Sequence, residues 1–241
     1  TQRWGLVNII LQTYLLLPCF FFPMTHFSPA LFTFLKDLAA HNDKAWLDAH
    51  RDRYHGHRQE VIAFTEALYD QLATVDTMPW QDPKKSVARI NNNRKFHPDK
   101  PPYKDHFGIM VNRGRGKAGL YLHIHPAAAF FGGGIYRPAR DIRAAIRAQI
   151  DERGAELRAA LQKEAFRERF GTLQGDQLKT APRDYPRDHP HVDLLRYQDF
   201  VFSRPLSQRQ LRSPQLLEAL SADFAAALPF LQFLDTALAE S

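Results

Sequence analysis

The densest chemistry in the chain is the run Arg94-Lys95-Phe96-His97-Pro98-Asp99-Lys100-Pro101-Pro102-Tyr103-Lys104. Cationic heads attract anions, and three prolines fix φ, so a ligand held there costs less ordering entropy. Between Lys84 and Lys117, ten Lys and Arg stand against two Asp, a local excess of +8 that exceeds the whole chain's +6. Arg89, Lys95, Lys100, Tyr103 and Lys104 are therefore candidate anion-binding residues. The rings of Phe96 and Tyr103 either stack on a base or anchor the loop in the core.

A second candidate is Gly132-Gly133-Gly134, followed by Arg137, Pro138 and a predicted helix. Glycine N–H groups beside a helix start can cradle phosphate, which adds Gly133, Gly134 and Arg137 to the anion-binding set. The spacing matches neither a Walker loop nor the dinucleotide fingerprint. Glycine inside a strand more often marks a bulge or a close backbone crossing. If the triplet and the basic loop share one sheet face, they form a joint site. His123 and His125, two apart on a predicted strand, also share a face, and His123 is the candidate acid–base group. A metal would need a third ligand that no His-x-x-x-His or His-Glu-x-x-His pattern supplies, so a structural role is preferred and no metal is assigned. Asp188 beside His189 either orients the imidazole or, as the preferred reading, caps the short helix that follows. The sequence holds no nucleophile elbow, P-loop or kinase signature.

The elements that would position these groups follow from pattern. Ser28-Pro29 reads as a helix start running to Ala40, and Asn42 as the cap of a long helix over Trp46–Leu72 that Gly56 bends. Short strands are predicted at Ser86–Ile90, Phe107–Asn112, Leu120–His125 and Ala128–Tyr136, the last broken by its glycines. Gly114-Arg115-Gly116 supplies a hairpin turn. Pro138 opens a helix that Gly154 ends, and a charged helix runs on to Phe170. Val192–Tyr197 is a short helix, Phe200–Ser203 a strand, and Ser213-Pro214 caps an apolar helix to about Ala239. The expected fold is α+β: an antiparallel meander sheet packed against a long N-terminal helix and C-terminal helices, one domain over residues 24–241.

Four stretches, residues 34–54, 89–108, 121–138 and 188–206, resemble in order the domain of unknown function 2461 family. They include RINNNRKFHPDKPPYKDHFG, YLHIHP and FFGGGIYRP. The resemblance implies one domain and brings no activity, cofactor or catalytic residue. Asn92 and Asn93 stand where that family usually carries Arg and Asp, Lys95 replaces Arg, His97 replaces Ser, and His125 replaces a common Glu.

Residues 5–23 are apolar and uncharged after Arg3, which reads as a mistranslated leader ahead of Met24 or, less favoured, as a signal or anchor segment. The lone Cys19 allows no disulfide within the chain, and a cytoplasmic, reducing setting is expected. Without the leader no membrane association is expected. The first expectation for function is binding or turnover of an anionic, phosphorylated or carboxylated, small molecule at the stiffened basic loop. The alternatives are a nucleic-acid-binding module using the same segment, and a protein-interaction domain marked by an exposed apolar patch. Whether the protein is an enzyme, its cofactor and its oligomeric state are left open. Sequencing the mature N-terminus from native cells should return Met24 as the first residue; a start upstream of it contradicts the leader reading.

Overall fold

Helix α1 (Pro29–Ala40) begins as its sequence requires: Pro29 fills the first turn and the Ser28 hydroxyl accepts the Leu31 N–H. The computed structural model describes residues 24–95 and 97–239. The leader reading for residues 1–23 and the role expected of Phe96 lie outside them. Helix α2 (Lys44–Ala49) is capped by Asp43, whose carboxylate accepts the Trp46 N–H at 2.8 Å. Asn42 is not the cap. It pins the basic loop, donating to the Tyr103 carbonyl at 2.9 Å and accepting the Tyr103 N–H at 3.0 Å.

The expected long helix is divided at His50, not bent at Gly56: α3 (Arg51–Leu72) runs unbroken through the glycine. Asp82 accepts the Lys84 N–H and Pro83 stands at the helix start, so α4 (Pro83–Ser86) forms one turn that ends on the first residue of the predicted Ser86–Ile90 strand. Only an isolated bridge, Val87 to Ile109, remains of that strand.

The sheet is an antiparallel meander in the order β1 (Phe107–Val111), β2 (Gly119–Ile124), β3 (Ala129–Ile135), β4 (Phe200–Leu206). The glycines do not break β3, which pairs on both sides through Gly134. Between β3 and β4 lie α5 (Arg140–Gln162), α6 (Glu164–Phe170) and α7 (Val192–Leu195). Arg153 interrupts the α5 dihedrals, one residue before the predicted break at Gly154. After β4 come α8 (Gln208–Leu211) and α9 (Leu216–Ala239).

Alternation sends Ile109, Leu122, Phe131 and Phe202 to one face, where they are buried. Helix α9 packs there and also touches α3, α5 and α6, so one hydrophobic core runs from Phe27 to Ala237. By length and composition α9 could cross a membrane, but most of it is enclosed by the other elements. The fold is α+β, and among the described residues no helix covers the opposite face of its sheet, whose side chains stay part-exposed.

One charge of the basic segment sits inside this core. Arg113 is 1% exposed. Its guanidinium donates to Asp76 at 2.9 Å and to the Ala118 carbonyl at 3.2 Å, and pairs with Asp235 at 3.0 Å. It thereby ties the β1–β2 hairpin to the end of α3 and to α9. Removing one member of such a buried set strands the others, which costs roughly 3–5 kcal/mol. Arg113→Met should lower unfolding stability by about that amount in urea titration, whereas Arg115→Met, at an exposed position, should change it by less than about 0.5 kcal/mol. Equal effects would contradict the hub.

Candidate functional site

The uncovered face of the sheet is legible row by row from its register. One row is Gly108, His123, Phe130 and Pro205; the next is Met110, Tyr121, Gly132 and Ser203; a third holds Gly119, Gly134 and Val201. Over the second and third rows lies a groove of about 820 Å³. Met110, Tyr121, Phe130 and Tyr136 form its walls, and Gly119, Gly132 and Gly134 its floor. Met110 is 58% and Tyr136 66% exposed, so large apolar surface faces solvent.

The floor is bare for a backbone reason. A β-carbon on Gly132 would lie 2.4 Å from the Phe202 carbonyl oxygen, and one on Gly134 would lie 2.1 Å from that of Phe200. Gly134 also has φ +114°, a region side chains rarely adopt. The triplet therefore marks close approach of β3 to β4. Its backbone is paired to β2 and β4, so Gly133 and Gly134 do not form the expected free phosphate cradle; the sheet ladder takes their polar groups.

Charge enters at one end. Among the described residues Lys117 is the one charged side chain lining the groove, and its ammonium lies 4.0 Å from Asp76. Arg137, outside the lining, follows Tyr136 in sequence and holds its guanidinium 5.1 Å from that ring's centroid. Arg137 has φ +49°, the only positive φ at a non-glycine among the described residues, and Asp199 accepts its N–H at 2.6 Å.

At the other end the walls turn polar. The Tyr121 hydroxyl is 3.3 Å from His123 Nδ1 and lies over Gly108, whose missing side chain makes room for it. The His123 ring stacks on Phe130 at 5.0 Å and meets His106 at 4.2 Å. His125 Nδ1 accepts the N–H groups of Ala127 and Ala128, which leaves its proton on Nε2, 3.6 Å from Asp105. Burial, reinforced by the neighbouring His106 and His125, pushes His123 down to about 4, so it is neutral at pH 7. Among the described residues no three His, Cys, Asp or Glu side chains are placed to hold a metal ion.

The basic loop does not reach this groove. It precedes β1, whose Phe107 pairs with Ile124 at one end of β2, while Gly134 pairs with Gly119 at the other, about 17 Å away by strand rise. The expected joint hollow is thus corrected by register. Tyr103 is 8% exposed and is an anchor in the core, not a stacking platform. The Lys104 ammonium donates to the carbonyls of Arg89 and Asn91, and burial lowers its pKa. Asn92 fastens the loop through the carbonyls of Pro101 and Tyr103. Arg89, Lys95 and Lys100 keep exposed side chains on that ribbon.

His189 is oriented by Asp151 at 2.8 Å, not by Asp188, and its Nδ1 accepts the His191 N–H, so both ring nitrogens are committed to holding the loop on α5. No side chain caps α7, so Asp188 is not the helix cap either. The residues that sequence reading missed are Met110, Lys117, Tyr121 and Tyr136. The alternation that paired His123 with His125 also places Tyr121 on their face, and that signal was available.

The arrangement defines an α+β domain with a ligand-sized groove on the open face of an antiparallel sheet. The family described as a conserved hypothetical protein (DUF2461) matches residues 30–233, and the chain belongs to it. No curated protein and no solved structure matches.

Because the fold holds His123 neutral, the unfolded chain takes up a proton below about pH 6.5 that the folded chain refuses until about 4. His106, also lowered by burial, acts in the same direction. Stability should therefore fall as pH drops through that window, and His123→Gln should flatten part of the slope in urea unfolding at pH 7 and pH 5. An NMR titration midpoint for His123 near the ordinary value would refute the cluster's description.

Proposed function

We propose that this domain binds a small anionic molecule on the open face of its sheet, apolar body over the glycine floor and charge toward Lys117 and Arg137. The observation that carries this is the groove, whose volume of about 820 Å³ suits a metabolite-sized ligand. Its wall is apolar and aromatic, with Lys117 in the lining at one end and Arg137 packed on Tyr136 just outside it, so an amphiphilic anion fits and a polyanion does not. Lys117 shares the Asp76 carboxylate with Arg113, whereas the Arg137 guanidinium has no carboxylate partner among the described residues and packs on Tyr136, so Arg137 is the principal cation offered to a ligand. In this proposal Gly133 and Gly134 serve by carrying no side chain, and His123 positions the Tyr121 hydroxyl. The loop residues Arg89, Lys95, Lys100 and Lys104 contribute a positive field and no direct contact. A cytoplasmic setting belongs to the same proposal.

A protein partner is favoured by a separate observation, the 86% exposure of Trp80, which lies outside the groove's lining. Trp80→Ala should leave small-molecule binding intact and weaken only a protein complex.

The direct test is a thermal-shift screen of the full chain against phosphorylated and carboxylated metabolites. A ligand at 100 times its Kd adds about 2.7 kcal/mol, a rise of roughly 5–10 °C for a domain of this size. Arg137→Gly, which suits the left-handed backbone, should abolish the shift while keeping the fold. Lys100→Ala should retain it. No stabilisation by any anion would contradict the proposal, and loss in Lys100→Ala would move the ligand to the loop.

A further inference from the structure

We infer that the ligand is a planar aromatic anion, its ring stacked on Tyr136, its charge on Arg137 and Lys117, and its uncharged polar end at the Tyr121 hydroxyl; this rests on the binding proposal above. Four observations converge on a flat ring. The floor beneath the groove has no side chains at Gly132 and Gly134, so a planar body can lie against the sheet. Tyr136 presents an exposed ring at the end of β3, and Arg137 packs over it at 5.1 Å, which leaves the rest of the ring surface to a second aromatic. Arg137 occupies a backbone position with φ +49° where glycine would be unstrained, the kind of local cost that persists at ligand clamps. Asp199 fixes that strained residue through its N–H, so the guanidinium is presented from a held backbone.

The groove is also directional. Gly119 pairs with Gly134, Lys117 lies two residues before β2 and Arg137 two residues after β3, so both cations flank the same end of the sheet. Tyr121 stands about 7 Å by strand rise from Gly119, the first residue of β2, and Lys117 lies two residues beyond that strand end, which together leave room for one or two fused rings and an acidic group. Its hydroxyl meets a neutral imidazole, so that end offers hydrogen bonding without charge. Ser203 and Gln174, on the β4 side, hydrogen-bond to each other and complete an uncharged wall. A ring bearing a carboxylate and a ring bearing a phosphate satisfy this polarity alike.

Calorimetric titration of the full chain with six probes separates the components. Adenosine monophosphate and indole-3-acetate carry ring and charge. Ribose 5-phosphate and butyrate carry charge alone, and adenosine and indole-3-acetamide carry the ring alone. At least one ring-bearing anion should bind tenfold or more tighter than its ringless and its uncharged counterparts, and whichever does so assigns phosphate or carboxylate. Tyr136→Ala should weaken it about tenfold and Tyr136→Phe should not. Equal binding of ribose 5-phosphate or butyrate overturns the ring inference and leaves the anion proposal standing. Equal binding of the uncharged probes, or no binding of any anion, overturns both.

Discussion

At two places in the sheet, the backbones of β3 and β4 approach so closely that no side chain fits between them. A β-carbon at Gly132 or Gly134 would meet a carbonyl oxygen of β4 at 2.4 or 2.1 Å, well inside van der Waals contact. Backbone cannot yield as a flexible side-chain tip can, so these positions are confined to glycine. The consequence appears on the uncovered face. Where an ordinary strand would project side chains, β3 leaves a bare strip between Phe130 and Tyr136, and that strip is the groove floor. A packing requirement of the sheet thus creates the concavity that a ligand would fill.

The groove is held in shape by groups far from it in sequence. The buried Arg113 guanidinium joins the β1–β2 hairpin to Asp76 after α3 and to Asp235 in α9. Lys117 stands in the same hairpin, so the cationic end of the groove is anchored to the core helices. On the β4 side, Asp199 accepts the N–H of Arg137 and fixes the turn that carries Tyr136. A second buried carboxylate, Asp223, receives both Arg169 and Arg204 and ties β4 to α9 and α6. A site set by such contacts is preorganised, which lowers the ordering cost of binding.

Much of the architecture was legible. Period-two alternation around a glycine turn gave the β1–β2 hairpin, and Ser28-Pro29 gave the start of α1, because these signals are local. What failed depended on competition or distance. Ser86–Ile90 reads as strand by residue type, yet Ser86 closes the α4 turn and, of the rest, Val87 alone pairs with β1, through a single bridge to Ile109. Asn42 reads as a cap, yet Asp43 is one residue nearer and Asn42 finds Tyr103 sixty-one positions away. The loop's cations read as one site, but sequence density does not report direction: Arg113 turns into the core, Lys104 onto its own backbone carbonyls, and Lys117 toward the groove. The glycine triplet was identified correctly as a place of close backbone approach, while the cradle it suggested was removed by the pairing of β3 on both sides.

The central claim is that a ligand lies on the open sheet face, over Gly132 and Gly134, and not on the basic loop. Backbone amide NMR of the labelled chain during titration with an aromatic anion tests it most directly, because every glycine reports its own position. The account predicts that the amide signals of Gly119, Gly132, Gly134 and Tyr136 shift together with one saturation curve, while those of residues 91–104 stay fixed. Shifts confined to residues 91–104, with the sheet glycines unmoved, would contradict it.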